Sequence, residues 1–376
     1  MSSERAQTPV TSLDQYLNDD ILLHTMSFMD RPSISALMQT CRRFQSRGAK
    51  FILKGEVILR SEPRILSFFL FMLADPARRF PLLRSLSIFS SCTPLSLGIA
   101  DLLRKLFCYL AAAGDLRRLW IFSAEKLLSS HPDLPSAIAQ LPALTELLLT
   151  SAGPRCSEML GALRSTLVSF TVAMDHHDYD TLGEDTRSPA EKDPVSLLRR
   201  SRRTLDRVTM SFAQISPGGP KFPNVTYLSL EYLDKPWIVD YIRAFPNLEE
   251  LEVLEWEGYS SSFDDDDIEQ HREANCMIQQ FYGTWRGLRS YSGSLCDLYL
   301  LGLQCHIPHL RIKDGEYGFR AEMLADVLDD ARPVHLELGP HRVRLATRRG
   351  RLPRVLLQAL GGASGDAQAH RELQRR

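Results

Sequence analysis

The residues of this chain best equipped for bond chemistry do not form a constellation that would perform it. His176, His177 and Asp178 are all metal-ligating types. Adjacent residues of an extended segment point in opposite directions, however, and no i, i+4 partner follows, so the triplet reads as a solvated loop and not a metal site. The acidic run Asp264 to Asp267 lacks the alternating ligands and the glycine of a calcium loop and reads as a disordered insertion. The seven cysteines, Cys41, Cys92, Cys108, Cys156, Cys276, Cys296 and Cys305, are odd in number, and no pair has the C-x-x-C spacing of a zinc or redox site. Reduced thiols in a cytoplasmic or nuclear protein are the expectation. There is no G-x-S-x-G, no P-loop lysine, no H-E-x-x-H and no G-x-G-x-x-G after a strand. No catalytic residue, metal or cofactor is expected, and the chain is not read as an enzyme.

What the sequence offers instead is recognition chemistry on a repeated strand. Segments of the form L-x-x-L-x-L recur: LLRSLSI from Leu82, LRRLWI from Leu116, LTELLL from Leu144, LVSFTV from Leu167, LDRVTM from Leu205, VTYLSL from Val225, LEELEV from Leu248 and, more weakly, LRSYSG from Leu288. A last pair falls at Leu310, Ile312 and at Leu336, Leu338. Side chains alternate along a strand, so the aliphatic positions point inward and the residues on either side of the second one point out. The outward positions are Arg118 and Trp120, Glu146 and Leu148, Ser169 and Thr171, Arg207 and Thr209, Tyr227 and Ser229, and Glu250 and Glu252. Arg118, Trp120, Glu146, Tyr227, Glu250 and Glu252 are the candidate substrate-binding residues, because arginine and aromatic anchors are enriched at binding hot spots. A row of solvated strand residues is the plainer reading of the same positions.

The elements that hold these residues follow from spacing. The segments starting at Leu116, Leu144 and Leu167 are 28 and 23 residues apart, and those at Leu205, Val225 and Leu248 are 20 and 23 apart, which is the length of a strand-plus-helix repeat. Longer gaps of 38 and 40 residues carry polar insertions near 175–195 and 257–275, read as mobile loops. Helical stretches lie between the strands, among them IADLLRKLFCYLAAAG, AEKLLSSHPDLPSAIAQL, DKPWIVDYIRAF and RAEMLADVLDDA. The longest apolar run, Ile65 to Ala74, has ten residues against the roughly 20 that span a bilayer, so it is expected to be a buried helix and no membrane span is expected. The first residues, MSSERAQTPVTSLDQYL, lack the apolar core of a secretory signal.

The chain of 376 residues has 44% hydrophobic and 24% charged residues, with 45 Lys and Arg against 46 Asp and Glu. It can bury a large core, and its balance argues against a globally basic nucleic-acid binder. No specific nucleic acid is expected as a partner. The segment from His341 to Arg376 has nine arginines and reads as a solvated basic tail.

Near the start, Ile21, Leu22, Met26 and Met29 share one helical face, with Asn18 placed to cap it and Asp19 and Asp20 suited to the first turn. Pro32 forces a break near Asp30 to Pro32. A second helical pattern runs through Ile34, Leu37, Met38, Cys41 and Phe44. A helical unit of about 40 residues has too small a core to be comfortable alone, and without disulfides or metal it is expected to dock on something.

This stretch resembles an F-box, with matches at Leu17, Asp19, Asp20, Ile21, Leu22, Asp30, Pro32, Ile34, Leu37, Cys41, Arg42 and Phe44, and departures at Asn18, Met29 and Arg31. The repeats resemble the irregular leucine-rich repeats of fungal F-box proteins, without the asparagine that many repeats place after the strand. The resemblance implies an α/β chain: a disordered segment 1–13, an F-box at 14–60, a right-handed leucine-rich-repeat solenoid or horseshoe at 61–340, and the tail 341–376. It implies that Leu17, Asn18, Ile21, Leu22, Ile34, Leu37 and Cys41 dock on a Skp adaptor and through it on cullin. The repeats would hold a protein substrate for ubiquitin-dependent degradation. The alternative is a leucine-rich-repeat scaffold or recognition protein whose helices cap the repeats and which has no ligase role.

Overall fold

The structure is a computed structural model that describes residues 19–89, 94–175, 192–231, 236–254, 265–313 and 321–339. His176, His177, Asp178, Cys92, Leu17, Asn18, Asp264 and the basic tail lie outside the described residues, as does the side chain of Leu22.

Three short helices open the described chain: α1 (Asp19–Phe28), α2 (Arg31–Met38) and α3 (Arg42–Leu53). The break between the first two follows from Asp30, whose carboxylate accepts the Ser33 N–H at 3.1 Å and so caps α2, with proline in its first turn. The apolar pattern from Ile34 to Phe44 suggests one helix, but it is divided. The Thr40 hydroxyl donates to the Leu37 carbonyl at 2.7 Å, and Cys41 is extended at φ −153° before α3 begins. A hydroxyl that satisfies a last-turn carbonyl offers the backbone an exit from the helix. Met26, Ile34, Met38, Phe44 and Ala49 form the core of this unit. Gly48 lets the helices close on one another: a Cβ there would lie 2.5 Å from Met38 Cγ and 2.9 Å from Met26 Cε.

Beyond a short strand β1 (Val57–Leu59), the apolar run expected to be a buried helix forms α4 (Glu62–Leu73), which buries Ile65, Phe69 and Met72. Only one face is covered, since Leu66 and Leu70 are 41% and 58% exposed. A single turn, α5 (Pro76–Arg79), follows.

Each recurring L-x-x-L-x-L segment then delivers a strand: β2 (Ser85–Phe89), β3 (Arg118–Phe122), β4 (Glu146–Ala152), β5 (Ser169–Met174), β6 (Arg207–Ser211), β7 (Tyr227–Glu231), β8 (Glu250–Val253), β9 (Ser290–Gly293), β10 (His309–Ile312) and β11 (His335–Leu338). With β1 they make one eleven-stranded sheet in chain order. Every neighbouring pair is parallel and most keep an unbroken register, so inward side chains fall into rows. Leu86, Leu119, Leu147, Phe170, Val208, Leu228, Leu251, Tyr291 and Leu310 form one fully buried row, and Ile88, Ile121, Leu149, Val172, Met210, Leu230 and Val253 form the next. At roughly 1.5–3 kcal/mol for each buried side chain of this size, these rows dominate the fold's stability. Helices connect the strands, chief among them α6 (Leu97–Ala113), α7 (Ala124–Ser129), α8 (Leu134–Ala139), α9 (Pro154–Ala162) and α10 (Ile238–Ala244).

The turns entering the strands are satisfied by a shared carbonyl. Thr145 and Glu146 both donate to the Arg117 carbonyl, Val168 and Ser169 to that of Thr145, Asp206 and Arg207 to that of Val168, and Glu249 and Glu250 to that of Thr226. Side chains complete the pattern: Asn224 donates to the Arg203 carbonyl at 2.6 Å and Asn247 to that of Pro223 at 2.8 Å. Buried Ser165 and Ser201 accept the Leu144 and Leu167 N–H groups.

Two expectations about loops are corrected. Residues 176–191 and 255–264 lie outside the described residues, but the remaining part of each insertion is ordered structure. Asp193, 1% exposed, accepts Ser196 and Ser216 N–H groups at 3.0 and 2.7 Å ahead of a 3₁₀ turn (Pro194–Leu197). The acidic run leads directly into an 18-residue helix, α11 (Asp265–Tyr282). Its polarity misleads because His271, Asn275 and Gln279, spaced at i, i+4 and i+8, are buried at 8%, 0% and 3% exposure. They bind the ends of neighbouring helices. Asn275 accepts from Ile238 N–H at 3.2 Å and donates to the carbonyls of Pro236 and Leu300. Gln279 donates to Gly302, where helix α12 (Leu295–Leu301) ends. The last helix is α13 (Ala321–Ala331). Among the described residues no helix is long and apolar enough to cross a membrane.

Two stability measurements check this account. Gly48→Leu must push apart helices that meet at the glycine and is expected to destabilise the N-terminal helices by about 1–3 kcal/mol in denaturant unfolding. Asn275→Leu strands the Ile238 N–H and two carbonyls and is expected to cost about 2 kcal/mol or more, against near neutrality if the asparagine were only a solvated helix residue.

Candidate protein-binding surfaces

Two surfaces carry the residues singled out from sequence. On the N-terminal helices, Ile21 is 54% exposed, while Leu37 and Cys41 are half-buried beside the small core. Ile34, expected at a docking surface, is a core residue at 3% exposure. It sits one turn before Met38 on the face of α2 that meets α3, so it supports the surface from beneath. The sequence reading missed Phe28, which is 76% exposed with its ring edge-to-face on His24 at 4.8 Å. Its signal was available: Phe28 follows Ile21 by seven residues, two helical turns, and so shares its face away from buried Met26. Ile21 and Phe28 are thus exposed apolar side chains on one face of α1.

The second surface is the outward face of the sheet. Register places Arg118, Glu146, Ser169, Arg207, Tyr227 and Glu250 in one lateral row, and Trp120, Leu148, Thr171, Thr209, Ser229 and Glu252 in the next. All twelve lie where alternation puts them, although Ser229 is buried at 3% exposure. The candidate anchors are bound to one another. Arg118 pairs with Glu146 at 2.8 Å and lies over the Trp120 ring at 5.6 Å, and Trp120 Nε1 donates to Glu146 at 3.0 Å. Arg207 covers the Tyr227 ring at 4.1 Å, and the Tyr227 hydroxyl donates to Glu252 at 2.6 Å. Such mutual bonds hold these side chains in place on the sheet face.

The same rows continue onto strands whose repeat signal is weaker, and there the sequence reading missed residues. Arg289 pairs with Glu250, Lys313 with Glu252 at 2.6 Å, and Arg311 with Glu337 at 2.7 Å. His309 stacks on His335 with ring centres 4.8 Å apart. Tyr227, Glu250, Glu252, Ser292, His309, Arg311, His335 and Glu337 line a depression of about 430 Å³.

Three of the thiols are shifted by burial. Burial raises the thiols of Cys156, Cys276 and Cys305, which disfavours the reactive thiolate. Among the described residues no group of three or more His, Cys, Asp and Glu could hold a metal ion. Burial alone would raise the Glu252 carboxyl, but hydrogen bonds from Lys313 and Tyr227 and the charges of Lys313 and Arg311 hold it below its ordinary 4.5.

The F-box domain family model matches residues 15–53, a span that contains the three N-terminal helices. No curated protein matches the chain.

The Glu252 network carries a pH prediction. A carboxyl depressed in the folded state stabilises the fold above its unfolded value, and the effect disappears as pH falls through the folded value. Glu252→Gln is expected to lose about 0.5–1 kcal/mol at pH 7, a modest figure because Lys313 is partly exposed. Thermal unfolding of both proteins should converge below pH 4.5 and remain separate above it.

Proposed function

We propose that this chain is a substrate-recognition subunit of a Skp–cullin–F-box ubiquitin ligase, docking through its N-terminal helices on a Skp adaptor and holding a protein substrate on its sheet. The observation that carries this reading is the F-box match over 15–53, falling on helices that leave Ile21 and Phe28 exposed. We read the eleven parallel strands in chain order as a right-handed leucine-rich-repeat solenoid, in which every strand of the sheet adds one residue to each outward row. Arg118, Trp120, Glu146, Tyr227, Glu250 and Glu252 then form the substrate surface, extended by Arg311, Lys313 and the stacked histidines. In this reading no residue of the chain performs bond chemistry. Its contribution is to raise the effective concentration of substrate lysines near a conjugating enzyme, in the cytoplasm or nucleus.

A second reading has its own support. Phe71 of α4 packs against both the small helical core and the large sheet core, as a terminal cap on a repeat array would. On that reading the helices protect the first repeat and bind no adaptor.

Capture by a purified Skp adaptor separates the two. The full chain is expected to bind, and Ile21→Asp or Leu37→Asp to weaken binding about 30-fold or more, the cost of losing a central anchor. Circular dichroism of the variants guards against loss of fold. Failure of the unaltered chain to bind at micromolar concentration would leave the cap reading standing.

A further inference from the structure

A groove of about 560 Å³ runs between the F-box helices and the segment that follows them. Met38, Cys41 and Arg42 line one side, and Phe71, Ala74 and Arg79 the other. Its walls are apolar at Met38, Phe71 and Ala74, and among the described residues none of the lining side chains is acidic. Arg79 is the unusual member. It is 4% exposed, donates from Nη1 to the Phe71 carbonyl, and lies over the Phe71 ring at 4.1 Å. Its Nε–H has no hydrogen-bond partner. Asp75, the acid nearest in sequence, is 4.0 Å from Arg78, whose other bond is to Ser46 at 3.1 Å.

A buried guanidinium normally finds a carboxylate, because its planar fork matches two carboxylate oxygens and an unpaired buried donor is costly. Here the ring and one carbonyl hold Arg79 in place while its Nε edge stays unused. Arg42, exposed on the opposite wall, adds a second positive charge at the mouth. Burial lowers the Arg79 pKa against the opposing pull of Asp75, as expected for a cation short of a counterion.

We propose that this groove receives an acidic side chain of the docked Skp adaptor, its carboxylate drawn by the positive charges of Arg79 and Arg42 in the lining and its apolar neighbours against Met38 and Phe71. The adaptor is the occupant because three of the lining residues, Met38, Cys41 and Arg42, belong to the span matched as F-box, and Cys41 belongs to the surface assigned to docking. The inference rests on the adaptor reading and adds to it: residues beyond the F-box, Phe71, Ala74 and Arg79, take part in the interface and make it depend on charge.

Titration calorimetry of the full chain with purified Skp adaptor, at low and high salt, tests this. Arg79→Gln and Arg42→Glu are each expected to weaken binding about tenfold or more at low salt and to flatten the salt dependence seen with the unaltered chain. Arg42 is exposed, so Arg42→Glu decides the matter should Arg79→Gln unfold. If Leu37→Asp abolishes binding while Arg42→Glu and a folded Arg79→Gln bind like the unaltered chain at both salt concentrations, the groove proposal is overturned and the adaptor reading survives. No binding by the unaltered chain overturns both.

Discussion

The rest of the structure depends on one constraint: consecutive parallel strands must stack in register. A parallel strand cannot reach its neighbour through a tight turn, so the chain must travel away and return at the same level each time. The returning chain is located before most strands by a carbonyl that accepts two successive N–H groups, as at Arg117, Thr145, Val168 and Thr226. A slip of one residue would turn every inward leucine outward. Because register holds, buried leucines meet leucines, and the outward residues of distant repeats become lateral neighbours. Glu252 and Lys313 are 61 positions apart in sequence, yet they pair.

How much of this was legible depended on whether a residue's burial followed its own polarity. Most strands from β2 to β11 were readable because two or three aliphatic side chains per strand alternate with other residues, whereas β9 (Ser290–Gly293) has only Tyr291 in that role. The three-residue β1 lacks that pattern and was missed. The helix α11 was misread because His271, Asn275 and Gln279 look like solvent-facing residues. They are buried because the ends of α10 and α12 supply the groups they bind, and those partners are far off in sequence. Ile34 was misplaced for a related reason. A motif marks which residues matter in a helical unit but not which of them face inward, and that is decided by where Gly48 lets the helices meet.

The two candidate surfaces differ in how they treat charge. On the sheet face nearly every cation already has an acid: Arg118 has Glu146, Arg289 has Glu250, Arg311 has Glu337 and Lys313 has Glu252. Exposed pairs of this kind contribute little to stability. Their effect is to hold side chains in fixed positions on the sheet face. Beside the F-box helices the situation is reversed, with Arg79 buried and short of an acid. One surface presents paired charges of both signs, and the other a buried cation short of an acid.

Phe71 ties these surfaces together. It contacts the small helical core and the large sheet core at once, and its carbonyl and ring hold Arg79. In the role proposed above, the end that is held and the end that holds would need a stiff connection, because effective concentration falls when the link between two sites is slack. A flexible linker at this point would separate the two cores. The apolar helix α4 joins them through a shared side chain, so whatever docks on the N-terminal helices is also fixed relative to the first strands of the sheet. The exposed Leu66 and Leu70 on the same helix are therefore not a defect of the sequence pattern. They leave α4 buried on one side by its own chain and exposed on the other.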